Sequence, residues 1–265
     1  MLATSTTRAR IGPLVLNNDF RHPAVLAHEA AALADLSDGR FELGLGAGYN
    51  QREYERSGIP FLPRRTRIAR LAEAAAIVRA LLAGETVSFD GEHYRVRELR
   101  LPEPVRSAPI LIGGSSRELL AVAAAHADVV TLAGSPRSSI EGTSDYAREA
   151  VDRQAALVRE LSGRSIELHV LVQWHEVTDD REAAARRAAS SLEVSPRIAL
   201  DSPYVLIGTA AEIAASVHDW HERVGITRFT IFADRPELQP ADVFAPVLDS
   251  LSRWSIHDRS SSSSP

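Results

Sequence analysis

Short runs of apolar residues alternate with longer segments of helical periodicity along most of the chain. The runs are rich in β-branched and aliphatic residues, which predicts strands at Ile11–Leu16, Phe41–Leu45, Pro109–Ile112, Asp128–Leu132, Ile166–Val177 and Ile226–Phe232. The longer segments repeat apolar residues at helical spacing, which predicts helices at Pro23–Leu36, Arg64–Leu82, Arg117–His126, Thr143–Leu161, Asp179–Leu192 and from the cap at Thr209 to Val224. Ser195–Pro203 is predicted to be irregular. Strands that alternate with helices of this length indicate parallel βαβ units.

One segment interrupts this alternation. Val87–Val96 is predicted to form a β-hairpin, because Asp90-Gly91 separates two alternating runs. Without the hairpin we count about six βα units, against the eight that a closed barrel requires. Whether the sheet is open or closed, a functional site is expected at the C-terminal ends of the strands.

The end of one strand lacks side chains. Gly44, Gly46 and Gly48 fall on every second position where Phe41–Leu45 should end, and glycine allows a backbone to approach a ligand closely. The alternative is that these glycines only form a turn or relieve crowding. A dinucleotide-binding fingerprint is disfavoured, because Tyr49 stands where its third glycine is needed.

A second glycine-rich strand end lies farther along. Gly113-Gly114-Ser115-Ser116 precedes a predicted helix and offers backbone N–H groups and hydroxyls to a phosphate. The alternative is an ordinary helix N-cap. Arginines at 64, 65, 67 and 70 are interpreted as a solvated helix face paired with acids such as Glu73.

Composition narrows the function classes. The 265 residues are 45% hydrophobic, which suits one globular domain over residues 1–254, followed by an unpatterned and disordered tail at 255–265. Net charge is -5 with scattered basic residues, so no nucleic-acid footprint is present. Cysteine is absent, which excludes disulfides and thiolate chemistry. No metal motif, signal peptide or membrane span is recognisable, and we expect a cytoplasmic protein that binds neither metal nor membrane.

Five separated motifs resemble one known family. The segments RIGPLVLNNDFRHPAVLAHEAA, LSDGRFELGLGAGY, VSFDGEHYRV, PILIGGSS and VLIGTAAEIAA occur in the same order in the luciferase-like family of flavin- and F420-dependent oxidoreductases. The wording LNNDFRHP is most similar to the F420-dependent group. The resemblance implies an α/β fold of the (β/α)8 TIM-barrel type, here incomplete, with the cofactor ring over the strand ends.

The resemblance also implies roles for individual residues. Cofactor contacts are implied for Asn17, Asn18, Gly46, Ala47, Gly48, Ile112, Gly113, Gly114, Ser115, Thr131 and Ala133. The strand ending at Asn17 would back the ring, often through a non-proline cis peptide. Phe20 and Tyr49, just past strand ends, are candidates for an apolar substrate pocket. No catalytic residue can be assigned, and His22 is a weak candidate that could equally bond the end of its helix.

The chain also departs from the family pattern. Two βα units that normally precede the strand ending at Asn17 are missing, so either the gene start is misplaced or the chain is a shortened paralogue. Unpaired edges are then expected at Ile11–Leu16 and Ile226–Phe232. We expect an enzyme that transfers a hydride between F420 and a small organic substrate, and that forms a homodimer. The alternatives are an FMN-dependent monooxygenase and a non-catalytic flavin-binding paralogue.

Overall fold

The computed structural model describes residues 2–134, 139–140, 143–233 and 239–252. The strands are β1 Leu16–Asn17, β2 Leu43–Gly46, β3 Val87–Asp90, β4 Arg95–Leu99, β5 Ile110–Gly114, β6 Val129–Leu132, β7 Ser139–Ile140, β8 Thr143–Ser144, β9 Glu167–Leu171, β10 Trp174–Val177, β11 Val205–Gly208 and β12 Ile226–Thr230. The α-helices are α1 Leu2–Ser5, α2 Pro23–Leu36, α3 Gln51–Ser57, α4 Arg64–Leu82, α5 Arg117–His126, α6 Arg148–Ser162, α7 Arg181–Leu192, α8 Pro196–Asp201 and α9 Ala210–Val224. Asn18–Phe20 and Ala241–Phe244 are 3-10 helices, and residues 245–252 are helical.

The chain divides into two compact units. The first contains Met1–Thr131 with Leu157–Ile166, and the second contains Leu132–Ala156 with Glu167–Pro265. The expectation of one domain over residues 1–254 stays a prediction. The tail expected at 255–265 lies outside the described residues.

The first unit is built on parallel strands in the order β1-β2-β5-β6. All four residues of β2 and of β6 are buried, as expected for strands that helices cover on both faces. Helix α4 packs against α2 and α5 and buries Ile68, Leu71, Ala75, Val78 and Leu82, the apolar face that the periodicity predicted. The local apolar pattern therefore determines which faces of these elements form the core.

The predicted hairpin is formed by β3 and β4, which pair antiparallel. Its turn is anchored on α4, because the N–H groups of Glu92, His93 and Tyr94 donate hydrogen bonds of 2.9, 3.0 and 3.0 Å to the carboxylate of Glu73. A Cβ at Gly91 would lie 2.4 Å from Glu73 Oε2, so only glycine leaves room for this carboxylate. Glu73 thus binds backbone amides and is not the partner of the arginine face that the sequence suggested.

The second unit contains two parallel strand pairs, β9 with β12 and β10 with β11. The predicted strand Ile166–Val177 is therefore two strands with different partners. The segment Ser195–Pro203 is not irregular, since it contains α8, and β11 was missed altogether. The helix predicted from Thr143 begins only at Arg148, after the short strand β8.

The α/β fold with parallel strands is confirmed, and the barrel is not closed. In the described residues, β1 pairs only with β2 and β12 pairs only with β9, so both expected edges are open. Within the same residues, no helix has both the length and the apolar character of a membrane span, and no cluster of three His, Asp or Glu side chains could hold a metal.

Stability should depend on the protonation of His126. Burial, assisted by Arg79 and Arg164, lowers the pKa of this imidazole, so the unfolded chain binds a proton more readily than the folded one. Above the unfolded value of about 6.5 the imidazole is neutral in both states and costs nothing; as the pH falls below this value the folded state becomes less stable, and the loss is complete below the folded pKa. We expect His126→Gln to flatten the decline of the unfolding free energy between about pH 7 and pH 5 in urea titrations.

A matched variant tests the cause. Arg164→Met removes one of the two cations that disfavour the imidazolium, so its pH slope should lie between those of the wild type and His126→Gln. Equal slopes in all three proteins would contradict the assignment.

Candidate functional site

Three strands of the first unit end side by side. Asn17 of β1 lies opposite Gly46 of β2, and Leu45 lies opposite Ile112 of β5, which places Gly46 beside Gly113. Because the strands are parallel, these residues share the carboxyl edge of the sheet. The fold therefore brings together the strand ends that the glycine pattern singled out.

An apolar wall covers the glycines of β2. A Cβ at Gly44 would lie 2.1 Å from the carbonyl oxygen of Pro13, and one at Gly46 would lie 2.7 Å from Cγ2 of Val15. The preceding segment therefore crosses β2 in contact with its backbone, and the Leu14–Val15 peptide in this segment is cis. Leu14 and Val15 are each 40% exposed and form an apolar surface at the strand ends.

Glycine is required at position 48 because polar side chains pack directly against its backbone. Its φ is +71°, and a Cβ would lie 2.1 Å from Tyr54 Oη and 2.7 Å from the side-chain amide of Asn17. Glycine avoids both the left-handed strain and the collision. The close approach that the sequence suggested is here an approach to Asn17 and Tyr54.

Two asparagine side chains carry unpartnered atoms. Asn17 Oδ1 accepts the N–H of Asp19 at 3.1 Å, and Asn18 Nδ2 donates to Tyr94 Oη at 3.2 Å. Asn17 Nδ2 and Asn18 Oδ1 are buried and have no partner among the described residues. Buried polar atoms are normally hydrogen-bonded, so this amide donor and this amide acceptor indicate a place where a polar ligand can bind.

A hydrogen-bonded network that sequence reasoning missed holds the asparagines in place. Arg70 Nε donates to Asp19 Oδ1 at 2.7 Å, and the Asp19 side chain is only 3% exposed. Tyr54 Oη lies 3.0 Å from Asn17 Oδ1 and 2.9 Å from Asp19 Oδ2, so its single proton is donated to one acceptor at a time. The Arg70 guanidinium also lies 5.0 Å from the centre of the Tyr94 ring.

Both tyrosines of this network stay protonated. Burial, assisted by the neighbouring Asp19 and opposed by the hydrogen bond to Asn17, raises the pKa of Tyr54 to about 12. Burial also raises the pKa of Tyr94. At neutral pH both hydroxyls therefore serve as donors and acceptors that fix neighbouring groups.

Arg67 was also misassigned from the sequence. Its side chain is 7% exposed and not solvated, and its guanidinium donates to the carbonyl oxygens of Ala47, Gly48 and Leu62. Cζ lies 4.0 Å from the centre of the Phe61 ring. The helical spacing of Arg67 and Arg70 was the available signal, because residues three apart lie on one helix face.

In the second glycine-rich segment, packing and helix capping account for Gly114 and Ser116 without a ligand. A Cβ at Gly114 would lie 2.3 Å from Leu119, whereas one at Gly113 would lie 3.1 Å from Thr131. Ser116 caps α5 by accepting the N–H of Leu119, and Glu118 has a lowered pKa because its carboxylate accepts its own N–H and bonds the Ser116 hydroxyl. The alternative of an ordinary cap therefore holds for Ser116.

The other cofactor candidates lie at neighbouring positions. Ile112 is buried on β5, Ser115 is half-buried just after β5, and Thr131 is buried on β6. Ala133 follows β6 in the second unit, where its carbonyl accepts a hydrogen bond of 3.3 Å from Gln154 Nε2. Their roles in cofactor binding stay predictions.

The substrate-pocket and catalytic candidates Phe20, Tyr49 and His22 lie in different surroundings. Phe20 packs edge-on against Tyr54 with ring centres 5.1 Å apart. Tyr49 is 90% exposed and lines an open depression of about 540 Å³ with Asn50, Gln51, Arg52 and Glu55, which Phe20 does not line. His22 caps α2, since its Nδ1 accepts the N–H of Ala24 at 3.2 Å, and a catalytic role for it stays a prediction.

Removal of the Tyr54 hydroxyl should show how much this hydrogen-bonded network contributes to stability. Tyr54→Phe should lower the unfolding free energy by about 1 to 2 kcal/mol, because Asn17 and Asp19 lose a buried donor. Tyr49→Phe, which removes an exposed hydroxyl, is the matched control and should change stability by less than about 0.5 kcal/mol. Equal urea midpoints for the two variants would show that the hydroxyl of Tyr54 contributes nothing.

A comparison with protein-family models decides the family. The model of the luciferase-like monooxygenases matches residues 1–199, three quarters of the chain. The chain belongs to the luciferase-like monooxygenase family. The resemblance inferred from five motifs is therefore confirmed, and with it membership of a family of flavin- or F420-dependent oxidoreductases and monooxygenases.

One relative found by sequence is a reductase. A 5,10-methylenetetrahydromethanopterin reductase of Archaeoglobus fulgidus is 30% identical over 206 residues, which cover 78% of this chain and 58% of the reductase. The chain thus spans roughly half of the length of its sequence relatives, between 42% and 58%.

Solved structures resemble the chain at low identity. The coenzyme F420 dependent tetrahydromethanopterin reductase of Methanopyrus kandleri matches with a TM-score of 0.67 and 16% identity, over 93% of this chain and 83% of the reductase. A riboflavin lyase, solved with modified FMN and riboflavin, matches with a TM-score of 0.71 and 15% identity, over 96% of this chain and 72% of the lyase. At these identities the likeness establishes the TIM-barrel type of fold.

Proposed function

We propose that this luciferase-like protein is an F420-dependent oxidoreductase that transfers a hydride between the deazaflavin and a small organic substrate. The observation that carries the proposal is the shared edge of Asn17, Gly46 and Gly113, where side chains are scarce and buried amide atoms lack partners. The 30% identical relative is a methylenetetrahydromethanopterin reductase, which supports a reductase over a monooxygenase.

The residues at this edge fit a flat heterocyclic ring. Leu14 and Val15 provide an exposed apolar surface, which Val15 forms while packed over the backbone of Gly46. Asn17 Nδ2 offers a donor to a ring carbonyl or nitrogen. An apolar face with a few fixed polar groups is the usual composition of a cofactor site.

The chain would contribute orientation and electrostatics. When bound, F420 supplies the hydride chemistry, and the protein supplies its surroundings. Asn17 is held by Tyr54 and by the N–H of Asp19, so its free N–H points in a fixed direction. Leu14 and Val15 would exclude water from one side of the reacting atoms, which strengthens polar interactions there. We propose no proton donor.

Binding and turnover experiments test the proposal. The purified chain should quench the fluorescence of F420 and bind it more tightly than FMN in anaerobic titrations, and should then oxidise or reduce F420 with a member of a panel of small alcohols, ketones and pterins. Oxygen consumption with reduced FMN would favour the monooxygenase. Tight binding without turnover would favour a non-catalytic paralogue, and binding of neither cofactor would overturn all three.

A further inference from the structure

The Arg67 side chain carries a buried charge beside the strand ends at Asn17, Gly46 and Gly113, which we call the glycine edge. Among the described residues, no carboxylate forms an ion pair with it; its hydrogen bonds go to main-chain carbonyls, and its guanidinium also lies over the Phe61 ring. Nε donates to the carbonyl oxygen of Ala47 at 3.2 Å and to that of Gly48 at 3.3 Å, and Nη1 donates to that of Leu62. A buried cation without an anion is costly, so a negatively charged group bound nearby would gain from it.

These hydrogen bonds fix the direction of two backbone amides. The Ala47–Gly48 and Gly48–Tyr49 peptides are trans, and in a trans peptide the C=O and N–H bonds point in opposite directions. Because the carbonyls of Ala47 and Gly48 both point towards Arg67, the N–H groups of Gly48 and Tyr49 both point away from it. Neither N–H donates a hydrogen bond to any described residue. The loop therefore presents two adjacent free donors.

We propose that Arg67 is a positioning residue that turns the N–H groups of Gly48 and Tyr49 towards the electron-rich edge of the redox ring and favours its reduced state, in which the ring has gained the electron pair of a hydride. The proposal rests on the proposed function, because it needs a ring cofactor at this edge. Arg67 does not touch the ring in this arrangement. It acts through the loop that it holds and through its charge.

The test compares the affinity for oxidised and reduced cofactor. Arg67→Met should weaken binding of reduced F420 about 10-fold more than binding of oxidised F420, measured by anaerobic fluorescence and absorbance titrations. A 10-fold larger loss of affinity for the reduced cofactor corresponds to a reduction potential about 30 mV lower for the cofactor bound to Arg67→Met than for that bound to the wild type. A purely structural role would weaken both states equally. If FMN is the cofactor that binds, the same comparison is made with FMN.

Two further variants keep the test interpretable. Arg65→Met removes an exposed arginine of the same helix and should leave both affinities unchanged. Arg67→Lys keeps the charge but not the planar fork, and should shift the potential in the same direction by a smaller amount. It also provides the measurement if Arg67→Met does not fold.

The source of the negative charge is tested separately. Titration with the phosphate-free form of the cofactor, the ring with its ribityl chain alone, should show the same difference between the wild type and Arg67→Met if the amides face the ring. A difference confined to the phosphate-bearing cofactor, or equal losses for both redox states, would overturn the inference and leave the proposed function standing. Failure of the wild type to bind either cofactor would overturn both.

Discussion

Arg70→Met is expected to lower the unfolding free energy of the first unit by about 3 kcal/mol, because it leaves the carboxylate of Asp19 buried without its cation. The Asp19 side chain is 3% exposed and accepts Arg70 Nε at 2.7 Å. The tryptophans of the sequence lie at positions 174, 220 and 254, so a probe within the first unit itself is needed. Hydrogen exchange in peptides from α2 and α4, followed by mass spectrometry, measures it directly.

A double-mutant cycle separates charge from packing. Asp19→Asn combined with Arg70→Met should recover most of the loss, since no unpaired charge remains. The contact of Arg70 with the Tyr94 ring is lost in both, so recovery is incomplete. Arg65→Met, on an exposed position of the same helix, should cost less than about 0.5 kcal/mol. If Arg70→Met were as stable as Arg65→Met, the ion pair would have no structural role.

The sequence revealed Arg70 and Arg67 but not their surroundings. Helical periodicity places both on one face of α4, and a basic helix face is most often solvated. Here that face meets Asp19 and the loop at Ala47 and Gly48, about 20 to 50 positions earlier in the chain. Contacts of this sequence separation depend on how strands and loops pack, which local patterns do not contain.

At the glycine edge, too, the sequence predicted some features and left others to be shown by the structure. The alternating glycines of β2 favoured close approach of a ligand, which stays a prediction, with relief of crowding as the alternative, whereas the parallel direction of β1 and β2 follows from the βαβ pattern. What approaches Gly44 and Gly46 is the segment from Pro13 to Val15. Spacing identifies a glycine that cannot carry a side chain, but it does not identify the atom that would collide.

The boundary between β9 and β10 in the second unit was harder to predict because no turn residue marks it. No glycine or proline separates β9 from β10, so Ile166–Val177 reads as one strand. In the structure the N–H groups of Gln173 and Trp174 both donate to the carbonyl of Tyr204, and β10 then pairs with β11. The change of partner is determined by a segment about 30 residues away, which the local pattern of Ile166–Val177 does not contain.

Gly44→Ala should be the most damaging of the glycine substitutions in β2, with a loss of about 3 kcal/mol or more in unfolding free energy. The added Cβ would lie 2.1 Å from the Pro13 carbonyl oxygen and 3.0 Å from Val15 Cγ1, and the backbone atom cannot move without displacing β1 from β2. We therefore expect increased hydrogen exchange at the N–H groups of β1 and weaker cofactor binding together.

Gly58→Ala is the matched control because it separates collision from backbone strain. Gly58 has φ +66° and no atom within 4 Å of its Cβ position, so alanine there costs only the left-handed conformation, about 1 to 2 kcal/mol. Gly44 has the opposite combination, with a collision and no positive φ. A larger loss for Gly44→Ala than for Gly58→Ala means that the crossing of Pro13 and Val15 over β2 determines the glycine. The reverse order would mean that this segment leaves β2 readily, and the apolar wall proposed for the cofactor would not be a fixed surface.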